Sequence, residues 1–384
     1  MTLDFDLTQE QREIRDLARD FARNEVAPRA EHFDRCKEFP YEIVAKLAEL
    51  GFLGLPVPEE YGGAGADTVS YALTVEELAR ADASVAITVA AHTSLGTMPF
   101  LLFGSEEQKH EYVPRLASGE TLWAFGLTEP QAGSDAGATQ TRAELRDGHW
   151  IINGTKAFIT NSGTRISGGV TITAVTGFRS DGKKEISNLV VPTGTSGYTV
   201  AKDYDKMGWR ASDTHELSFA DAAVPEGNVL GPRGEGFHQF LTTLDGGRIS
   251  VAALSVGLAQ ACLDAALKYA GERVQFGRPI ARFEAVSFML ADMATRIEMA
   301  RLMTYKAAWL KDQGRDFRMS AGMAKLFAGE TATMCANHAV QIHGGYGIME
   351  EYPVARYWRD VKIGEIGEGT NEIQRRLIAK FLGA

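Results

Sequence analysis

The sequence predicts an α+β protein that is mainly α, in which a small antiparallel β-domain lies between two helical parts. Three observations predict it. Apolar residues recur at helical spacing from Thr8 to about Gly119, short β-rich runs fill the chain from about Glu120 to Arg233, and long amphipathic segments return from Gly234. Strands do not alternate regularly with helices, so a doubly wound parallel sheet is not expected. We therefore expect three domains, residues 1–119, 120–233 and 234–384.

The N-terminal part is expected to be helical throughout. Its amphipathic segments are "TQEQREIRDLARDFARNEVAPRAEHF", "PYEIVAKLAELGFLGL" and "SYALTVEELARADASVAITVAAHTSL". Pro28, Pro40 and the loop "PEEYGGAGAD" interrupt them, because proline and glycine rarely continue a helix. This part therefore divides into several helices of ordinary length.

The middle part carries the signals of strands and hairpins. Its β-rich runs are "LWAFGLTE", "ATQTRAELRDGHWIINGTKAFIT", "GGVTITAVTGF", "EISNLVVPTG" and "THELSFADAAVP". The segments "RDGHW" and "SDGKK" are typical of hairpin connections, since Asp-Gly favours the left-handed backbone of a two-residue turn.

Long helices are expected again in the C-terminal part. The most apolar stretch, "VAALSVGLAQACLDAAL", contains Ser255, Gln260 and Asp264 and is shorter than a bilayer span needs, so no membrane segment is expected. The last helix has one apolar face, formed by Ile373, Leu377, Ile378, Phe381 and Leu382.

Composition excludes several functions. With 384 residues, 45% hydrophobic residues and a formal net charge of -10, the chain is typical of a folded protein and not of a general nucleic-acid binder, which needs a cationic face. Cys36, Cys262 and Cys335 are too far apart for a disulfide framework or a metal clip, which indicates a reducing compartment. The acidic, polar start "MTLDFDLTQEQREI" shows no signal or transit pattern. We expect a cytoplasmic protein.

Common nucleotide, metal and hydrolase motifs do not occur in the sequence. "GGAGAD", "GPRGEG" and "GGYGIM" lack the GxGxxG spacing, and there is no GxxxxGK[ST], HExxH or GxSxG, so no metal is expected. The segment "AFGLTEPQAGSDAGA" is more informative. A β-like run ends in a turn with Thr128, Gly133, Ser134 and Asp135, where hydroxyls and backbone N–H groups could meet an anion or a heteroaromatic ring. Taken alone, it could equally be an ordinary turn.

The segment "GEIGEGTNEIQRR" places Glu368 between two glycines, just before the last helix. One interpretation is a solvated acid near a positive helix N-terminus, with Thr370 or Asn371 as the cap. The other is a general base. The residues alone leave both open.

Seven fragments together identify a family resemblance. "LTEPQAGSD", "KAFITNSG", "MGWRASDT", "LDGGR", "ERVQFGRPI", "QIHGGYGI" and "GEGTNEIQR" occur in the order and approximate spacing of the acyl-CoA dehydrogenase family, over essentially the whole chain. The resemblance is nearest to its short-chain and short branched-chain members. It implies FAD-dependent conversion of an acyl-CoA to a trans-2-enoyl-CoA, electrons passed to an electron-transfer flavoprotein, a homotetramer, and a role in fatty acid β-oxidation or branched-chain amino acid catabolism.

The resemblance also implies site residues. Glu368 matches the catalytic base that removes the α-proton while the β-hydrogen leaves as hydride. The flavin would be contacted by Phe125, Leu127, Thr128, Gly133, Ser134, Phe158, Thr160 and Thr370. The adenine and pyrophosphate end would be contacted across a subunit interface by Arg273, Phe276, Gln341 and Gly345. Acyl-CoA would be contacted by Ser134, Asp245, Arg248 and Gly369. Without the resemblance, Arg273 reads as a solvated arginine and Asp245 with Arg248 as an i,i+3 surface pair.

Three positions depart from common family patterns. Some members carry the base just before the arginine matching Arg248; here that residue is Gly247, which leaves Glu368 as the candidate. Many members have tyrosine where this chain has Gly367; the smaller residue widens the expected acyl pocket and leaves the acyl chain length open. Members often have tryptophan at the position of Phe158. For Ser212, Asp213 and Thr214 the sequence suggests no mechanistic role. Two alternatives stay open, a flavin oxidase or monooxygenase on the same fold and a non-catalytic flavin-binding scaffold.

Overall fold

The computed structural model describes residues 6–384, so the first five residues of the expected N-terminal domain lie outside the described part. A helical N-terminal part comes first. Its helices are α1 (Gln9–Phe21), α2 (Ala27–Cys36), α3 (Tyr41–Glu49), α4 (Thr68–Ala81), α5 (Ala83–Ala90), α6 (Met98–Phe103) and α7 (Glu106–Ala117), with π-helical turns at Ala22–Val26 and Ala91–Thr97. Thr8 starts α1 in a capping box, in which its hydroxyl accepts the Gln11 N–H at 3.2 Å and the Gln11 side chain accepts the Thr8 N–H at 3.0 Å.

The β-domain follows. Its strands are β1 (Leu122–Gly126), β2 (Arg142–Arg146), β3 (His149–Thr160), β4 (Ser167–Phe178), β5 (Lys184–Pro192), β6 (Tyr198–Val200), β7 (Thr214–Pro225) and β8 (Val229–Leu230). The sheet order is β6-β7-β3-β2-β4-β5-β8, with β1 beside β4. The β2–β3 turn has left-handed Asp147 and Gly148, as "RDGHW" predicts. Most pairs in this sheet are antiparallel, as expected, but β1 and one residue of β2 pair with β4 in parallel.

The C-terminal part contains α8 (Gly236–Glu272), the short strands β9 (Val274–Gln275) and β10 (Arg278–Pro279), α9 (Glu284–Asp312), α10 (Arg318–His343), α11 (Pro353–Ile366) and α12 (Asn371–Phe381). Helix α8 is 37 residues long, about 55 Å at 1.5 Å per residue. It is therefore much longer than the apolar stretch from which the sequence argument excluded a membrane span.

Two helical segments, Ala83–Phe103 and Gly236–Glu272, are apolar and long enough to span a bilayer, so the length argument was wrong. Their most apolar windows are, however, 78% and 83% buried within the protein. Such helices are apolar on all sides because neighbouring helices surround them. Both segments therefore form part of the protein core.

The two helical parts share one hydrophobic core. Leu78 of α4, Leu254 of α8 and Ala328 of α10 are among its fully buried members, and a separate core lies in the β-domain around Trp150 and Ile172. The predicted helix–sheet–helix architecture is confirmed. It brings the α11–α12 loop against α8 and α10, which carry the residues described next.

Candidate active site

Glu368 lies in the loop between α11 and α12, with its carboxylate inside the protein. Its backbone is left-handed (φ 52°), as is that of Gly369 (φ 92°). Both carboxylate oxygens are buried and have no hydrogen-bond partner among residues 6–384. Thr370 caps α12 by accepting the Ile373 N–H at 3.3 Å. The cap role therefore belongs to Thr370, and Glu368 is a buried, unpaired acid.

Burial changes the acidity of Glu368. Removing the carboxylate from water raises its pKa, and the nearby cations Lys325 and Arg248 only partly oppose this, so that the pKa rises to about 7. A base is most effective when its pKa lies near the working pH. At neutral pH this carboxyl is thus suited to accept a proton.

Gly247 of α8 provides the space for this carboxylate. A Cβ atom at position 247 would lie 2.1 Å from Glu368 Oε2, so any larger residue would displace the acid. Position 247 is also where some members of the acyl-CoA dehydrogenase family, which this sequence resembles, carry their catalytic base. In this chain the α8 position and the α11–α12 loop thus meet at one point, and Glu368 supplies the carboxylate there.

Asp245 and Arg248 form an ion pair on α8, between Asp245 Oδ1 and Arg248 Nη1. Arg248 is 5% exposed and its Nε has no hydrogen-bond partner among the described residues. Burial raises the pKa of Asp245, although Arg248 opposes this. The interpretation as a surface pair was therefore wrong, because both side chains lie largely inside the protein, with Arg248 close enough to influence Glu368.

The end of β1 and the end of β3 bring the expected flavin contacts together. Phe125, Leu127 and Thr128 are half-buried, and the Thr128 carbonyl accepts the Ala157 N–H of β3 at 2.8 Å. Phe158 is left-handed (φ 61°) and 65% exposed, which is unusual for an aromatic residue in a strand. The two strand ends thus present an open aromatic and polar surface.

Three further expected contacts border this surface. Gly133 and Ser134 are exposed in the turn after β1, and a Cβ at Gly133 would meet no atom within 4 Å. Thr160 ends β3 and pairs with Thr214 of β7. Phe125 stacks on Phe240 of α8, with ring centroids 3.9 Å apart.

A buried ion pair beneath this surface was missed by the sequence analysis. Glu129 and Lys156 are 2% and 0% exposed, with Lys156 Nζ 2.8 Å from Glu129 Oε1. Glu129 also accepts the Gln140 and Thr141 N–H groups at 2.7 and 3.0 Å, and Lys156 donates to the Leu127 carbonyl at 3.3 Å. The pair therefore fixes the turn after β1. Glu129 follows Thr128 in "LTEPQAGSD", but nothing local indicates its distant partner.

Asp213, for which the sequence suggested no role, holds the turn that follows β3. Its Oδ2 accepts the Gly163 N–H at 2.8 Å, and its carbonyl accepts the Asn161 N–H at 3.3 Å. His215 bonds Asp213 Oδ1 at 2.8 Å and the Ala201 carbonyl at 2.6 Å. Because both partners are acceptors, they favour the protonated ring, in which both nitrogens donate, and the hydrogen bond and charge of Asp213 outweigh burial and raise the pKa of His215. The "MGWRASDT" segment thus supports the strand end that carries Phe158.

The remaining expected contacts lie at the far end of α8. Arg273 and Gly345 line a cavity of about 470 Å³ that includes Tyr346, and the Arg273 guanidinium lies 5.9 Å from the Tyr346 ring centroid. Gln341 is exposed, and Phe276 is 94% exposed. Arg273 follows Gly247 by 26 residues, which is about 39 Å along a helix. This group is therefore well separated from Glu368 within one chain.

These observations suit a flat, partly anionic cofactor such as FAD. Phe158 presents an exposed ring at a strand end, and aromatic rings stack well on flat heterocycles. The turn after β1 leaves open space at Gly133, and the buried Glu368 carboxylate has no hydrogen-bond partner within residues 6–384. No group of three or more His, Cys, Asp or Glu residues suited to a metal ion occurs within residues 6–384.

Comparison with known proteins identifies the same family as the sequence resemblance. Residues 8–120, 124–222 and 234–383 match the N-terminal, middle and C-terminal domains of acyl-CoA dehydrogenase. The chain is 55% identical over 380 residues to "Probable acyl-CoA dehydrogenase YngJ" of Bacillus subtilis (strain 168), covering 99% of this chain and 100% of that protein.

Solved structures agree with this. Butyryl-CoA dehydrogenase from Megasphaera elsdenii superposes with a TM-score of 0.96 at 44% identity, over 100% of both chains. A chain from a structure of the electron transferring flavoprotein of Acidaminococcus fermentans gives 0.96 at 46% identity, over 99% of both. An acyl-CoA dehydrogenase complexed with FAD from Bacillus anthracis gives 0.92 at 36% identity, over 100% of this chain and 68% of that one. The chain is therefore a member of the acyl-CoA dehydrogenase family, FAD-dependent oxidoreductases that act on acyl-CoA.

Proposed function

We propose that this chain dehydrogenates a short or short branched-chain acyl-CoA between the α and β carbons to a trans-2-enoyl-CoA, with Glu368 as the base. The observation that carries the proposal is the buried Glu368 carboxylate, which has no hydrogen-bond partner in the described part of the chain and whose pKa burial raises to about 7. A thioester α-proton is weakly acidic, so its removal needs a dry, correctly protonated base.

The residues divide the chemistry as follows. Glu368 takes the α-proton onto a carboxylate oxygen, and bound FAD supplies the acceptor for the β-hydride at flavin N5. The electron pair of the α C–H bond then forms the new double bond. The left-handed backbone of Glu368 and the adjacent Gly369 let the main chain approach the thioester, where the Glu368 N–H can donate to the carbonyl oxygen.

FAD would be held by two sets of residues. The flavin ring would be held at the strand ends by Phe125, Leu127, Thr128, Gly133, Ser134, Phe158, Thr160 and, from the α12 cap, Thr370. Arg273, Phe276, Gln341 and Gly345 would act on the cofactor of a neighbouring subunit, because about 39 Å of helix separates Arg273 from Gly247. A guanidinium suits a pyrophosphate in such a role. We therefore propose a homo-oligomer, a homotetramer by family resemblance.

Acyl-CoA would be contacted by Ser134, Gly369, Asp245 and Arg248. The ion pair of Asp245 and Arg248 is proposed as a contact of the CoA moiety, and the burial of Arg248 favours a position on the interior side of the substrate. Short acyl groups are favoured by the similarity to butyryl-CoA dehydrogenase. A Cβ at Gly367 would meet only Ile363, at 3.4 Å or more, so close packing does not require a glycine here.

The proposal also covers the electron acceptor and the cellular location of the protein. We propose an electron-transfer flavoprotein as acceptor, supported by the likeness to a chain from such a system. The three cysteines are unpaired, as expected in the reducing cytoplasm, where the chain would serve fatty acid or branched-chain amino acid breakdown. A non-catalytic scaffold is disfavoured because such a protein has no need of a buried, unpaired carboxylate, which is costly to keep.

Anaerobic titration of the purified holoenzyme tests the proposal. Short, branched and medium acyl-CoAs are added while the visible flavin spectrum is recorded. Bleaching with preference for a short or short branched acyl group is expected. Bound flavin that no acyl-CoA bleaches would contradict it and favour a scaffold, while rapid reoxidation of the reduced enzyme by air would favour an oxidase or monooxygenase.

The variant Glu368→Gln tests the base. It should retain FAD and acyl-CoA binding but reduce the flavin about 10²- to 10⁴-fold more slowly, the range expected for loss of a general base. Glu372→Gln is the matched control, because Glu372 is exposed in the first turn of α12. Wild-type reduction by Glu368→Gln would remove Glu368 from the mechanism.

A further inference from the structure

Lys325 is a buried cation beside the loop that carries Glu368. It lies on α10 and is 0% exposed. Its Nζ donates to the Gly369 carbonyl at 2.8 Å and to Asn371 Oδ1 at 3.3 Å. Both partners are neutral, and no carboxylate lies within ion-pair distance of Nζ among residues 6–384. A buried ammonium without a counter-ion is costly, so its retention calls for a reason.

The same loop is held from a second helix. Gln374 of α12, 0% exposed, donates from Nε2 to the Glu368 carbonyl at 3.3 Å and to the Gly369 carbonyl at 3.0 Å. Glu368 and Gly369 are both left-handed, a conformation that costs a non-glycine residue about 1 kcal/mol or more. The Gly369 carbonyl thus receives one hydrogen bond from α10 and one from α12, which together secure this backbone.

Besides Lys325 itself, four charged or titratable groups interact with the Glu368 carboxyl or with Lys325. They are Arg248, Tyr71, Glu365 and Glu372. Arg248 approaches from α8, but Asp245 already neutralises it. Tyr71 approaches from α4 as a neutral phenol, whose hydroxyl donates to the Ala90 carbonyl at 3.1 Å.

Two acids also act on Lys325. Glu365 of α11 is half-buried and paired with Lys362, and Glu372 of α12 is exposed. Of the groups facing Glu368, Lys325 therefore carries the positive charge that no ion pair offsets.

We propose that Lys325 is a positioning residue, which anchors the Glu368–Gly369 backbone through the Gly369 carbonyl and whose unpaired charge keeps the Glu368 carboxylate ionised for proton abstraction. This inference rests on the proposed role of Glu368. Burial lowers the pKa of Lys325 to about 8, so it is still largely protonated at neutral pH. A cation within a few ångströms lowers the pKa of a carboxyl by about one to three units.

The variant Lys325→Gln tests the proposal in the holoenzyme. The titration of the Glu368 carboxyl is followed by infrared spectroscopy, as the protonated carboxyl band that is lost in Glu368→Gln, and the pH profile of flavin reduction by butyryl-CoA is recorded beside it. The Glu368 pKa should rise by about one to three units in both measurements. Lys325→Arg should restore it, because the charge returns.

A second variant avoids any loss of the lysine. Asn371→Asp is isosteric and places an acid at the helix N-terminus, where it is tolerated, and it gives Lys325 a counter-ion. It should also raise the Glu368 pKa. Lys380→Gln, which removes an exposed lysine of α12, is the control and should leave the Glu368 pKa unchanged. Thermal unfolding of every variant checks that the fold is retained.

The outcomes separate this inference from the proposed function. An unshifted Glu368 pKa in both Lys325→Gln and Asn371→Asp would overturn the role of Lys325. If butyryl-CoA and the other acyl-CoAs fail to reduce the wild-type flavin, the proposed function fails, while the infrared titration still reports whether Lys325 acts on Glu368.

Discussion

Replacing Gly247 by alanine tests whether the reaction depends on the space beside the Glu368 carboxylate. A Cβ at 247 would lie 2.1 Å from Glu368 Oε2 and 3.1 Å from Leu95 Cδ2, whereas real Cβ contacts are not closer than 3.0 Å. The carboxylate oxygen must therefore move by about 1 Å. Since Oε2 is the end of a flexible side chain, the base moves and the α8 backbone stays in place.

The expected effects on rate and stability differ. A displacement of about 1 Å from the reactive geometry costs roughly 10²-fold in rate. Alanine is favoured over glycine in a helix interior by about 1 kcal/mol, which offsets the local rearrangement. Gly247→Ala should thus reduce the flavin about 100-fold more slowly than the wild type, with a nearly unchanged Tm.

The assay is anaerobic stopped-flow reduction of the bound flavin by a saturating short acyl-CoA, with thermal unfolding measured in parallel. Gly246→Ala is the matched control, because a Cβ at this neighbouring helix position would meet only Lys311 Nζ, at an ordinary 3.6 Å. It should keep the wild-type rate. A wild-type rate in Gly247→Ala, or an equal loss in Gly246→Ala, would refute the reasoning.

Three further predictions concern pH, cofactor retention and stability. Because burial raises the pKa of Glu368 to about 7 and only the ionised form is a base, kcat/KM should fall about tenfold per unit below about pH 7; a profile flat to pH 5 would contradict this. Arg273→Ala should weaken FAD retention more than acyl-CoA binding, whereas Arg278→Ala, whose guanidinium stacks on a ring of its own subunit, should not; equal FAD affinity in both would exclude the cross-subunit contact. Burial disfavours the charged His215 ring, but the hydrogen bond and charge of Asp213 outweigh this and raise its pKa. The protonated His215 ring therefore stabilises the folded protein fully below the unfolded pKa of about 6.5, and this stabilisation is lost as pH rises through the pKa of His215 in the folded protein. The Tm difference between wild type and His215→Gln should shrink over that pH range.

Much of the fold was predictable because its signals are local. The helical spacing of apolar residues predicts α1 to α7 and α8 to α12, and Asp147 with Gly148 predicts the β2–β3 turn. The parallel pairing of β1 with β4 was not predicted. It joins Leu122 to Ser167, 45 positions along the chain, and no turn residue specifies such a pairing.

The site was predictable in part. Family resemblance selected Glu368, but the residues alone also allowed a solvated acid near the helix N-terminus; in the structure Thr370 is the cap and the Glu368 carboxylate is buried. The supporting pairs were missed, because Glu129 meets Lys156 and Asp213 meets His215 only through the folded sheet. A charged residue in a strand pattern does not reveal whether it is solvated or paired in the interior.

By itself, the sequence determined the order of helices and strands, the hairpin turns and the segments that resemble one family, since these depend on the period and identity of neighbouring residues. Only the tertiary structure decided the chemistry of Glu368. Its acidity depends on burial and on Lys325, 43 positions away, and its space depends on Gly247, 121 positions away. Desolvation and electrostatic interactions act through space, and so they depend on packing that no local pattern encodes.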